Sequence, residues 1–121
     1  MLIQTFYTIL NSEFANDTIR GTLRINRAHP IFAGHFPEVP VVPGVCMIQM
    51  VKELTETHVQ DDLMLIAGDN IKFLAVLNPE QHPEVDVIIT LEKNINLTVT
   101  ATLFAGEITF LKLKAVLEKR T

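Results

Sequence analysis

Residues 95–104 read INLTVTATLF, with Ile95, Leu97, Val99, Ala101 and Leu103 alternating against Asn96, Thr98, Thr100 and Thr102. Successive side chains on a strand point to opposite faces, so this stretch predicts a strand with one face in a core and a semi-polar face outside. That apolar face must be covered, and most of the remaining chain offers only more strands. Residues 2–10 are rich in Ile, Phe, Tyr and Thr. Residues 18–26 set Ile19, Leu23 and Ile25 against Thr18, Arg20, Thr22 and Arg24, and residues 84–92 place Val85, Val87, Ile89 and Leu91 on one side. Ala105-Gly106-Glu107 reads as a hairpin turn into a last strand over 107–118, where a slip in alternation at Phe110-Leu111 predicts a bulge. Residues 63–76 make a sixth segment, with Gly68 as the point where it would break.

Only one segment has a helical period, from Pro43 to about Thr57. Proline suits the first helical position, because its missing N–H would have no intrahelical partner there. Gly44, Met47, Ile48, Met50, Val51 and Leu54 cover a broad apolar arc, while Gln49, Lys52, Glu53 and Glu56 cluster in a narrower polar one. Many half-apolar strands and one helix have an economical solution. It is an α+β arrangement, a curled antiparallel sheet of about six strands around one long central helix. At 121 residues the chain suits one domain, 1–121.

Charge and cysteine content narrow the functions. A net charge of -4 leaves no basic footprint for nucleic acid. The single Cys46 excludes an intramolecular disulfide framework and any multi-cysteine metal site. MLIQTFYTIL lacks the basic start of a signal peptide, and no apolar run reaches the ~18 residues of a membrane span. The expectation is a cytoplasmic protein with no membrane partner.

The stretch GHFPEVPVVPGV, residues 34–45, holds the strongest restraints. Pro37, Pro40 and Pro43 fix φ at every third residue, and each pushes its predecessor toward extended geometry. Such a path either mounts His35 rigidly or simply makes a tight crossover into the helix. Val42 has no side-chain acceptor to cap the helix start, and Gly44 leaves its N–H open to a ligand. Free amides at the positive end of a helix dipole suit a carbonyl or an oxyanion, and a histidine held nearby is a candidate general base. Water or a loop carbonyl could equally satisfy those amides.

HPIFAGHFPEVPVVPGV, residues 29–45, resembles the active-site segment of 3-hydroxyacyl-acyl carrier protein dehydratases, enzymes of the hotdog fold. KFLAVLNPE, residues 72–80, is similar more loosely. The resemblance implies a hotdog domain and a β-elimination on a carrier-protein-linked 3-hydroxyacyl thioester, in fatty acid or related lipid and polyketide synthesis. The thioester carbonyl would sit at the Gly44 amide and His35 would remove the α-proton, with Phe36 and Pro43 supporting. An acidic residue on the helix would protonate the departing hydroxyl to leave a trans-2-enoyl thioester. No metal or other cofactor is implied. A homodimer or larger homo-oligomer is, with each site built between two chains.

The acid belongs fourteen residues after the histidine, and Gln49 stands there. An amide has no proton to give near neutral pH, though it can orient a water or hydroxyl. Glu53 lies one turn on, so the pair can hydrogen-bond, and Glu53 could act through Gln49 or a bridging water. Otherwise Glu53 belongs to a solvated face with Lys52 and Glu56. Two other functions stay open: an acyl thioester hydrolase in which Gln49 positions water, and a non-catalytic pseudo-dehydratase that binds carrier protein. Cys46 reads as a small buried hydrophobe or, less simply, a nucleophile. His29 shapes the loop entry, and His58 and His82 read as surface residues. Arg20, Arg24, Arg27 and Lys72 either meet an acidic carrier protein or are solvated charges.

Overall fold

The alternating segments pair as a period-two pattern requires. A computed structural model describes residues 2–34 and 39–120, so His35 and Phe36 lie outside the described residues. The elements are β1 (Tyr7–Ala15), β2 (Thr18–Ile25), α1 (Ile31–Gly34), α2 (Gly44–Val59), β3 (Leu63–Phe73), β4 (Glu84–Lys93), β5 (Leu97–Ala105) and β6 (Ile108–Lys119). They form a six-stranded sheet in the order β1-β2-β4-β5-β6-β3. Every pairing is antiparallel. Ile19, Leu23, Val85, Val87, Ile89, Val99, Ala101, Leu103, Leu113 and Leu117 bury their side chains together with Met47, Met50, Val51 and Leu54 of α2. Full burial of a side chain such as Leu54 contributes about 1.5–3 kcal/mol, so the curled sheet and its helix depend on each other.

The expected bulge is present. Leu103 pairs with Leu111 and Phe104 with Thr109, which leaves Phe110 as the extra residue. The extra residue lets both Phe110 and Leu111 reach the core. Gly106, at φ 58°, takes the left-handed geometry of the β5–β6 turn. The antiparallel strands and central helix are the expected ones.

Several boundaries differ. The first strand spans 7–15 rather than 2–10, because residues 2–6 fold into a turn. Gln4 sits at φ 74°, and the Phe6 amide donates to Leu2 O at 2.8 Å. An edge strand paired on one side can carry the polar residues Asn11, Ser12 and Glu13. Proline 43 sits at the N-cap rather than inside α2, with φ -61° and ψ 145°, and the helix runs on past Thr57 to Val59. Gln60 closes it in the left-handed conformation, its amide bonding Glu56 O.

β3 does not break at Gly68. It continues to Phe73 by accommodating Ile66 and Asp69 as two extra residues against β6. The bulged edge leaves Met64, Leu65 and Ile66 partly exposed.

Ile95 is not part of the core. It occupies the β4–β5 turn, fully exposed at 101%, with the Asn94 amide closing onto Asn96 O at 2.9 Å. The alternation therefore begins two residues ahead of the strand, which opens at Leu97. Ile95→Thr is expected to change unfolding free energy by no more than about 0.5 kcal/mol in a urea titration.

Candidate active site

The helix start is held from both sides. The Val42 amide donates to Leu77 O at 2.9 Å, and Pro43 enters α2 extended with no side-chain cap. Cys46 and Met47 both return their amides to Pro43 O. Gly44 opens the helix, and the half-exposed ring of Phe73 lies against it. A Cβ at residue 44 would meet Phe73 Cζ at 2.6 Å. Gly44→Ala is therefore expected to cost roughly 1 kcal/mol, because the ring must swing outward, and Phe73→Ala should remove that cost. A double-mutant cycle of urea unfolding measures the coupling. No cue in the sequence joined Phe73 to Gly44; the β3 edge brings them together.

Gln49 and Glu53 do hydrogen-bond, with Gln49 Nε2 donating to Glu53 Oε2 at 2.7 Å. The solvated-face alternative for Glu53 does not hold, since the residue is only 2% exposed. Three other donors reach it. The Leu2 amide donates to Oε2 at 2.8 Å, the Ile3 amide to Oε1 at 2.9 Å and the Tyr7 hydroxyl to Oε1 at 3.0 Å. Burial alone pushes this carboxyl up, but the four hydrogen bonds together outweigh burial and hold it below its ordinary value. Glu53 is thus an ionised acceptor with its lone pairs occupied. Tyr7 is the reverse case: burial first, then the Glu53 charge, keeps its hydroxyl protonated far above the usual range.

The turn at residues 2–6 thereby ties the N-terminal segment to the helix face that carries Gln49. Tyr7 gave no sequence signal for this role, because a tyrosine in an apolar strand reads as packing. Gln49 also lines an open groove of about 420 Å³ with Ile3, Lys52, Glu56 and Thr57. Beside it, Ile48, Val51, Leu65, Ile71 and Leu113 line an apolar crevice between α2 and the sheet of only about 10 Å³.

The other candidates separate. Cys46 is buried, and desolvation pushes its thiol up, which suits a packing role rather than a thiolate nucleophile. His29 Nδ1 accepts from the Ile31 amide at 3.1 Å and so shapes the entry to α1. His58 and His82 are half-buried, not surface residues. His58 Nε2 lies 2.9 Å from Ser12 Oγ, which ties the end of α2 to β1, and His82 packs edge-on against Phe110. Arg24 and Arg27 pair with Glu84 and Glu80 on the exposed surface. Arg20 and Lys72 make no ion pair among the described residues. Among those residues no group of three or more His, Cys, Asp or Glu is arranged to hold a metal, and no helix is long and apolar enough to cross a membrane.

A six-stranded antiparallel sheet curled round one long helix, with β3 at one edge and an uncapped helix start facing it, defines a protein of the hotdog class. The family model of ApeI-like dehydratases matches residues 11–107, and the chain belongs to that family. Among its relatives, a 3-hydroxyacyl-[acyl-carrier-protein] dehydratase FabZ of Rickettsia massiliae is 32% identical over 82 residues, covering 61% of this chain and 57% of the relative. A FabZ of Nitratidesulfovibrio vulgaris is 34% identical over 70 residues, covering 50% of this chain and 46% of the relative. The chain thus spans about half the length of these relatives.

Two solved structures share the fold. The dehydratase heterocomplex ApeI:P from Xenorhabdus doucetiae matches with a TM-score of 0.73 at 23% identity, covering 92% of this chain and 96% of its counterpart. A thioesterase superfamily protein from Shewanella loihica matches with a TM-score of 0.60 at 13% identity, covering 93% and 91%.

Proposed function

We propose that the chain acts on 3-hydroxyacyl thioesters carried by acyl carrier protein, in the direction of trans-2-enoyl thioesters and within fatty acid or related lipid synthesis. The observation that carries this is the uncapped start of α2 at Gly44, entered through Pro43 directly after the GHFPEVPVVP run. There a thioester carbonyl can accept from backbone amides at the positive end of the helix, which stabilises charge developing on its oxygen as the α-proton leaves. His35 is the base of this scheme, Phe36 and Pro43 shape its mount, and Gln49 faces the hydroxyl. The FabZ relatives support the substrate class.

The scheme needs a second copy. Among the described residues the crevice between α2 and the sheet, about 10 Å³, is too small for an acyl chain, and the exposed Met64, Leu65 and Ile66 on the β3 edge offer the surface on which a homodimer would form. The lone free thiol fits a reducing, cytoplasmic setting.

Gln49 favours one further reading, in which the chain binds acyl carrier protein or partners an active homologue that carries an acid. The Xenorhabdus structure is itself a heterocomplex. Incubation with 3-hydroxyacyl and enoyl carrier-protein thioesters separates the readings. Interconversion that disappears in His35→Ala supports the dehydratase. Release of free thiol would indicate a hydrolase, and binding without turnover the partner role. If the chain neither binds nor converts any thioester, the proposal fails.

A further inference from the structure

The two ends of a glutamine amide have nearly the same shape, and usually only their surroundings tell oxygen from nitrogen. At Gln49 the surroundings leave one choice. Glu53 is a buried carboxylate that already takes the Leu2, Ile3 and Tyr7 donors, so it presents only lone pairs to its neighbour. Gln49 must therefore turn its NH2 toward Glu53, as the 2.7 Å contact from Nε2 to Oε2 shows. Its Oε1 is directed away from Glu53, on a side chain that lines the open groove, and no donor among the described residues reaches it. The chain thus holds a fixed acceptor where its relatives' proton donor is expected to stand.

We propose that Gln49, locked in this orientation by Glu53, reads the oxygen function at carbon 3 of the acyl chain. Its Oε1 accepts a hydrogen bond from a 3-hydroxyl and faces a 3-oxo group lone pair to lone pair. Glu53 is a positioning residue: its three other donors keep it a pure acceptor and so fix which way the Gln49 amide points. The inference rests on the acyl-thioester reading above and adds to it a preference among chains of equal length. The 3-hydroxyacyl form is bound best, the saturated form less well, and the 3-oxo form worst.

The test is isothermal titration of the full chain with pantetheine amides, in which nitrogen replaces the thioester sulfur and elimination is suppressed. Butyryl and decanoyl series are used, each as the 3-hydroxy, saturated and 3-oxo compound. Expected is a roughly three- to tenfold tighter Kd for the hydroxyl over the saturated chain, and a further loss of about tenfold or more for the 3-oxo chain. Equal affinities across a series would overturn the inference while leaving the acyl-thioester reading intact. Absence of binding in both series would remove both.

Glu53→Gln supplies the second arm, because an amide at residue 53 can donate as well as accept and so frees Gln49 to turn over. In that variant, shown folded by circular dichroism, the 3-oxo penalty should disappear. Its retention would show that Glu53 does not set the orientation. If the variant does not fold, Gln49→Leu keeps Glu53 in place and should abolish the hydroxyl preference; a preference that survives overturns the proposal.

Discussion

Gln49→Glu is expected to raise turnover of a 3-hydroxyacyl carrier-protein thioester by about 10²- to 10⁴-fold, the usual worth of a positioned general acid. The surroundings of residue 49 suit that change. The introduced carboxyl would stand where Nε2 now lies 2.7 Å from Glu53. Two carboxylates that close cannot both ionise, so the pair retains one proton. Glu53 keeps its three other donors, Leu2, Ile3 and Tyr7, and is the better-stabilised anion. The shared proton therefore settles on the introduced group and raises its pKa toward neutrality, as a general acid requires. Turnover of the variant should fall as pH rises through that value. Enoyl-thioester absorbance across a pH series measures both effects. A folded variant with no gain would mean that residue 49 does not face the departing hydroxyl.

Glu53→Leu is expected to lower stability by roughly 3–5 kcal/mol. The substitution leaves the Leu2 and Ile3 amides, the Tyr7 hydroxyl and the Gln49 amide without their acceptor. Tyr7 is fully buried and cannot turn to water, whereas the turn at residues 2–6 can detach from α2. Because the folded state holds the Glu53 carboxyl below its ordinary 4.5, its contribution is fully present above that pH. The contribution is lost as pH falls through the lower folded value. The natural chain should therefore lose stability in acid more steeply than Glu53→Leu, whose curve should be flatter below pH 4.5. Urea unfolding at a series of pH values compares the two. Parallel curves would show that the carboxylate is not what stabilises this network.

Both substitutions fall on the same pair, Gln49 and Glu53, and the pair marks how far local helix geometry leads. The i, i+4 spacing of Gln49 and Glu53 was enough to expect their hydrogen bond, because helix geometry is local and regular. Whether that face of α2 met solvent was not a local matter. The helical arc classed Glu53 with Lys52 and Glu56, yet the turn at residues 2–6 covers it with two backbone amides that carry no side-chain signature. The same limit applies at Gly44. The missing side-chain cap could be read from Val42 and Pro43, but the Phe73 ring against Gly44 comes from a strand nearly thirty residues on.

Alternation in β2, β4, β5 and β6, the bulge at Phe110 and the single amphipathic helix were determined by the sequence itself. A period of two or 3.6 residues together with one face to bury leaves few arrangements open. The tertiary structure alone decided what lies where those periods end. It placed Ile95 in a turn, carried β3 past Gly68 on two bulges, and closed the Tyr7, Leu2 and Ile3 donors onto Glu53. Each of these outcomes depends on contacts between segments far apart in the chain, which no local pattern encodes. The orientation of the Gln49 amide is the last of them, because only a buried carboxylate across one helical turn tells its oxygen from its nitrogen.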